Sequence, residues 1–183
     1  MNSDEIDRLI DFWFSDRVRP LRFNSTAAFD QEIRDRYIAL WQQARRGELE
    51  VWKASKEGCL ALVILLDQFP LHMFRDRPES FATEQQSRDI ADHAIETGFD
   101  KQMPAAWQAF LYLPFMHSES LSDQERSVAL FAAAGLQSNL KWAKHHRELI
   151  RRFGRFPHRN DILGRESSAD EIDYLKSDQA FTG

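Results

Sequence analysis

Apolar positions recur along the chain with the period of an α-helix. Ser3 is placed to cap a first helix, whose apolar face consists of Ile6, Leu9, Ile10 and Trp13. A second amphipathic stretch follows Ser25 and Thr26 and stops before Gly47. No segment alternates with the period of two that a half-buried strand requires. The pattern therefore predicts an all-α protein.

Prolines and capping residues predict where the later helices begin and end. The most apolar stretch, near Leu60 to Phe69, is expected to end at Pro70, because proline disfavours helical geometry in the preceding residue. Pro104 suits the first turn of another helix, which Pro114 should end or kink. Three pairs have the spacing of a capping box: Thr83 with Gln86, Ser122 with Glu125, and Ser168 with Glu171.

A longer helix is predicted from about Leu136 to Phe153, where Gly154 closes it. Its apolar stripe contains Trp142, His146, Leu149, Ile150 and Phe153. Together the signals predict seven or eight helices with short connections, which pair as antiparallel helical hairpins. At 183 residues one hydrophobic core suffices, so we expect a single all-helical domain over residues 1–183.

Composition and charge restrict the classes of partner. A net charge of -5 argues against a protein whose surface coats nucleic acid or an acidic membrane. The longest apolar run is eight residues, Cys59 to Leu66, against the ~20 that a membrane span needs. The acidic start MNSDEIDRL lacks the features of a secretory signal, and a single cysteine suits a reducing compartment. We therefore expect a cytoplasmic protein without a membrane partner.

Several polar residues stand where packing does not require them. Asp67 follows the apolar run directly, and burying its carboxylate is costly without a charged or hydrogen-bonded partner. His117 and Glu119 follow Pro114 in a predicted turn, where they are free to act as acid and base. His146 lies on an apolar face, where a core histidine is the usual explanation. No pair of histidines has metal-ligand spacing, so we expect no metal and no cofactor.

Positive charge is concentrated late in the chain. The stretch from Lys141 to Arg165 contains eight basic residues and two acidic ones, a local charge of +6 that leaves -11 on the remainder of the chain. Within this stretch, the loop between Gly154 and Gly164 contains Arg155, His158, Arg159 and Asn160. Because arginine suits carboxylate and phosphate, the loop either recognises an anionic ligand or folds back onto Asp67 and Glu119. The overall acidity argues against nucleic acid stacking on its phenylalanines.

The same segments resemble a bacterial family known as domain of unknown function nine hundred and twenty-four. The matching sequence motifs are LLDQFP with MFR (65–75), YLPFMHSE (112–119), His146 with Ile150, and FGRFPHRN with LGR (153–165). The resemblance implies a tetratricopeptide-like fold, in which helical hairpins stack into a right-handed superhelix, but it implies no reaction. Leu71 and His72 depart from the Arg and Asn that are usual there, which weakens a ligand role for that loop.

The leading functional hypothesis is a binding module with a polar cleft for an anionic small molecule or peptide. Its candidate ligand-binding residues are Asp67, Arg75, His117, Glu119, His146, Arg155, His158, Arg159, Asn160 and Arg165. The alternative is a hydrolase in which His117 or His158 and Glu119 or Asp67 act as acid and base, although no nucleophile is evident. The pattern leaves the ligand and the oligomeric state open.

Overall fold

The structure is a computed structural model that describes residues 3–178, 180 and 181. All regular elements of these residues are helical, and none is a strand, which confirms the all-α prediction. The α-helical segments are α1 (Ser3–Phe14), α2 (Ala27–Arg45), α3 (Lys56–Val63), α4 (Phe69–Met73), α5 (Glu84–Glu96), α6 (Ala105–Leu111), α7 (Leu113–Met116), α8 (Leu121–Ala133), α9 (Gln137–Phe153) and α10 (Ala169–Leu175).

Two of the predicted helices are divided in the structure. A π-helical segment, Ile64–Gln68, joins α3 directly to α4, and one residue separates α6 from α7 beside Pro114. The ten α-helical segments of the described residues thus correspond to eight helices of the sequence pattern. The stacking of hairpins into a right-handed superhelix stays a prediction.

The prediction that the apolar helix ends at Pro70 is wrong. The helix continues through Pro70 to Met73, because the π-helical segment precedes the proline. Phe69 N–H donates to the Ile64 carbonyl five residues back, whereas Pro70 has no N–H for the carbonyl of Leu66. The Thr83 hydroxyl donates to Leu66 O instead, at 2.6 Å. A side chain of another helix therefore replaces the hydrogen bond that proline removes.

Two of the predicted capping boxes do not form, and in the second of them α8 begins at Leu121, so that Ser122 lies inside the helix. Thr83 makes no cap hydrogen bond, since its hydroxyl is used on Leu66. Glu125 lies inside α8, where its carboxylate contacts Arg147 and Arg151 of α9. The box of Ser168 with Glu171 is confirmed, with both reciprocal hydrogen bonds present.

The chain divides into two compact units. The first comprises residues 3–75 and 79–114 and is built around α3, against which α1, α5 and α6 pack. In this unit α2 packs against α4 and the π-helical segment. The largest side chains buried completely here include Trp13, Trp52, Phe69, Leu60 and Ile64. Burial of this many aromatic and aliphatic groups supplies the main driving force for folding.

The second unit comprises residues 76–78 and the described residues from Phe115 onward. Its α8 and α9 form a helical hairpin, turned at Gly135. The helix α9 ends as predicted at Gly154, whose φ of 71° suits glycine. A core cluster of Leu149, Ile150, Phe156 and Tyr174 joins α9 to α10. Trp142 was expected on the apolar stripe, but it is 49% exposed because it lies at the edge of that stripe.

Candidate functional site

Eight of the ten candidate residues lie in the second unit, and two lie in the first. Of those in the second unit, Glu119 follows α7 and is contacted by the loop after α9 and by Arg165. Glu119 accepts the Phe156 N–H at 2.8 Å and a bidentate ion pair from Arg165, at 2.6 and 2.9 Å. Burial alone would raise the pKa of Glu119, but these hydrogen bonds outweigh it and lower that pKa. The loop after α9 thus folds back onto Glu119, through Arg165 and the backbone of Phe156.

Arg155 binds a carboxylate that the sequence did not suggest for it. It forms a bidentate pair with Glu171 of α10, at 2.7 and 2.8 Å, and donates to the Glu166 carbonyl. The hydrogen bonds of Arg155 are the main cause that lowers the pKa of Glu171 to about 2. The expected ion pair with Glu119 is replaced because α10 brings Glu171 to Arg155. Pairing of the loop with Asp67 stays a prediction.

Arg159 and Asn160 of the loop also have protein partners. Arg159 is buried, donates to the carbonyl of His117 at 3.0 Å and lies over the Phe156 ring. Asn160 is buried too; its amide donates to the Ser167 hydroxyl, and its oxygen accepts Arg165 Nε. These bonds fix the loop in one conformation. The arginines of the second unit therefore stabilise its fold, and this use competes with binding an external anion.

Two imidazoles of this unit face an aromatic ring. His146 Nδ1 donates to the Trp142 carbonyl, and burial lowers the pKa of His146 to about 3. Burial, and then the charge of Arg159, lowers the pKa of His158 to about 4. The ring of Phe181 packs against both, with centroids 4.6 and 5.1 Å away. Both imidazoles are therefore neutral at pH 7, consistent with the core-histidine interpretation of His146.

The described residues contain no group of three or more His, Cys, Asp or Glu side chains able to hold a metal ion. In the first unit Asp67 is buried within the π-helical segment, where the amide of Gln68 donates to its carboxylate at 2.6 Å. Burial of Asp67 is therefore compensated in part by its neighbour. Arg75 lies elsewhere in this unit, at an open depression.

This depression has a volume of about 320 Å³ and lies where α2 begins. Its polar lining residues are Asp30, Gln31, Arg34, His72 and Arg75. Arg75 is half-exposed and holds Asp30 at 2.7 and 3.1 Å, while Arg34 donates to the Met73 carbonyl at 2.7 Å. Two guanidinium groups therefore line one cavity with a single carboxylate.

Asp30 also accepts His72 Nδ1–H, at 2.8 Å. Burial lowers the pKa of His72, although its hydrogen bond to the Asp30 carboxylate opposes this, so the imidazole is neutral at pH 7. The Ser25 hydroxyl lies 2.5 Å from Asp30 and 3.3 Å from the same Nδ1. A catalytic triad requires the serine and the carboxylate on opposite imidazole nitrogens, so these three residues do not form one.

No ligand-binding or catalytic role was predicted from the sequence for Asp30, Arg34 or Ser25. An aspartate near the start of a helix is ordinarily explained by the helix dipole, so the sequence gives no reason to expect a contact between Asp30 and His72. His72 itself was discounted because it departs from the family pattern. A signal was nevertheless present, since His72 and Arg75 are three residues apart and thus share one face of a helical turn.

The sequence profile described as bacterial protein of unknown function (DUF924) matches residues 9–179. The chain belongs to this family. The chain is similar to a solved structure, that of the protein of unknown function ATU0120 from Agrobacterium tumefaciens, with 38% sequence identity. The match covers 96% of this chain and 99% of that one, with a TM-score of 0.91. No curated protein matches the chain.

Membership of the DUF924 family thus assigns a fold and no reaction, because the family and the similar structure are both described as of unknown function. In the part of the chain that the structure covers, no helix has the length and apolar character needed to cross a bilayer. The chemistry of this family member must therefore be inferred from its own residues.

Proposed function

We propose that the chain is a binding module for an anionic small molecule or a peptide terminus. The anionic group, a carboxylate or a phosphate, binds in the depression of the first unit beside Arg34 and Arg75. One observation carries the proposal: two guanidinium groups line an open cavity of about 320 Å³ in which Asp30 is the only carboxylate among the described lining residues.

Charge and geometry support an anion here. The two arginines exceed the charge of Asp30 by one, and the guanidinium fork matches carboxylate and phosphate oxygens. The depression also contains Ala27, the first residue of the 19-residue α2, whose positive dipole end favours a negative charge. This location differs from the polar cleft that the sequence suggested, where Glu119 and Glu171 hold Arg165 and Arg155.

Calorimetric titration with inorganic phosphate and with acetate tests the proposal. Arg75→Gln should weaken binding at least tenfold, because one of two guanidinium groups is lost. Arg46→Gln is the matched control, since Arg46 is similarly exposed and holds Glu48 in the same bidentate way. Absence of binding to the wild-type protein, or equal affinity in both variants, would reject the site.

A hydrolase is the alternative, and one observation favours it. His72 and Asp30 are in hydrogen-bond contact at a cavity, and a neutral imidazole held by a carboxylate can act as a general base. The test is hydrolysis of p-nitrophenyl acetate and p-nitrophenyl phosphate, with His72→Gln compared with His93→Gln. Turnover that disappears only in the His72 variant would favour the enzyme.

Two further expectations from the sequence belong to the proposal. We place the protein in the cytoplasm, with no membrane partner and no nucleic acid partner. We also propose that residues 1–183 unfold as one domain. A single cooperative transition, coincident by tryptophan fluorescence and far-ultraviolet circular dichroism, is the expected result.

A further inference from the structure

A second cavity lies in the first unit, beside the C-terminal half of α2. Its volume is about 180 Å³. The apolar part of its lining is formed by Ala44, Leu49, Leu62, Leu66 and Ile90. The cavity is partly open to solvent, and its lining is polar as well as apolar. Its volume is comparable to that of a cavity of about 150 Å³ that takes up benzene, so it is large enough for a single six-membered ring.

The cavity wall includes the π-helical segment. Leu66 belongs to this segment, and its carbonyl accepts a hydrogen bond from Thr83, the residue that immediately precedes α5. The first two turns of α5 contribute Gln86, Asp89 and Ile90 to the lining. The contact between Thr83 and Leu66 thus joins these two parts of the lining. π-Helical turns occur often at functional sites, and here one coincides with a cavity.

The polar residues of the cavity favour a cation. Its charged residues are Glu50, Lys53 and Asp89, which sum to one negative charge. Lys53 is paired with Glu50 at 2.5 Å, whereas Asp89 accepts a neutral hydrogen bond from the Gln85 amide. Glu50 and Asp89 are exposed, so they lie at the mouth, above an aliphatic floor. An ammonium group at the mouth would pair with Asp89.

We propose that this cavity binds a small organic cation: an ammonium group attached to one aromatic or aliphatic ring. The ring occupies the aliphatic floor, and the ammonium group meets Asp89 at the mouth. This site is independent of the anion site, because it uses other residues and the opposite charge. It adds a second ligand class to the first unit.

Three benzene derivatives of similar size and different charge test the proposal by calorimetric titration: benzylamine, benzyl alcohol and benzoate. Benzylamine should bind most tightly, and Asp89→Asn should weaken its affinity about tenfold. Asp35→Asn is the matched control, because Asp35 accepts an amide hydrogen bond from Gln31 on an exposed helix face, as Asp89 does from Gln85. This control should leave the affinity unchanged.

A second variant tests the floor. Ala44→Leu fills the cavity and should abolish binding of benzylamine and benzyl alcohol alike. Asp89→Asn keeps the test decisive if the larger core side chain prevents folding, because residue 89 is exposed. Failure of the wild type to bind benzylamine overturns the inference. Equal affinity for benzyl alcohol, or an unchanged affinity in Asp89→Asn, also overturns the cationic specificity.

Discussion

Replacing Thr83 with valine removes one hydroxyl while preserving the shape of the side chain. This hydroxyl is completely buried, donates to Leu66 O at 2.6 Å and accepts the Trp41 indole N–H at 3.3 Å. The Leu66 carbonyl has no alternative helical donor at position 70, because that residue is proline. Thr83→Val therefore leaves a buried carbonyl and a buried indole N–H without this partner.

Leaving a buried polar group unsatisfied costs ~1–3 kcal/mol, so we expect Thr83→Val to lower the free energy of unfolding by about 2 kcal/mol. For a chain of this length, that corresponds to a fall of roughly 4–8 °C in Tm. Thr97→Val provides a control, because the Thr97 hydroxyl bonds carbonyls of its own helix and the residue is exposed. Its effect should stay within ~0.5 kcal/mol.

Urea denaturation, followed by fluorescence and circular dichroism, measures both variants against the wild type. The indole N–H resonance of Trp41 should also shift in Thr83→Val, because its acceptor has been removed. A loss below ~0.5 kcal/mol in Thr83→Val would refute the assignment of this hydroxyl as the substitute donor for Pro70. An equal loss in both variants would refute it as well.

Four further substitutions have defined outcomes. Glu171→Gln should lower Tm at pH 7, and its difference from the wild type should vanish as pH falls from 4.5 towards 2, since folding lowers the pKa of Glu171 to about 2. Wild-type stability should fall below pH 6.5, and His146→Gln should reduce this fall, because burial lowers the pKa of His146 to about 3; denaturation at several pH values tests this. Gly58→Ala should cost about 3 kcal/mol by urea denaturation, because its Cβ would lie 1.9 Å from Trp52 O. Gly98→Ala, with open space around its Cβ, should cost about 1 kcal/mol.

Helix ends were predictable where the deciding residues are neighbours in the sequence. Thr26 accepts the Phe29 N–H as an N-cap, Gly154 closes α9, and Ser168 forms its box. The predictions at Pro70 and Thr83 failed for a shared reason. At both positions the deciding hydrogen bond is made across the fold, from the Thr83 hydroxyl to the Leu66 carbonyl, whereas capping rules include only local partners.

The candidate site shows the same dependence on distance. Charge segregation correctly indicated that the loop after α9 would meet Glu119, 46 residues before Arg165. It did not identify which arginine pairs with Glu119, because a count of charges contains no information on geometry. Glu171 was interpreted as a cap alone, although one carboxylate both caps α10 and binds Arg155. The depression beside Arg75 depends on how α2 packs against α4, which residue spacing does not encode.

The exposed Trp142 gives the second unit an optical reporter. Its indole ring lies 6.5 Å from the imidazole of His146 and 6.1 Å from the ring of Phe181, measured between centroids. Protonated imidazole quenches indole emission on contact, whereas neutral imidazole does so only weakly. The His145 ring lies closer to this indole, at 6.0 Å, so the measurement uses a His145→Gln background. In this background, while Phe181 covers His146, acid quenching of Trp142 by the His146 imidazole should begin only near pH 3, the folded pKa of His146. Removing the Phe181 ring would hydrate the His146 imidazole and move the onset of quenching towards pH 6.5. Trp142 emission as a function of pH therefore reports whether Phe181 packs against His146.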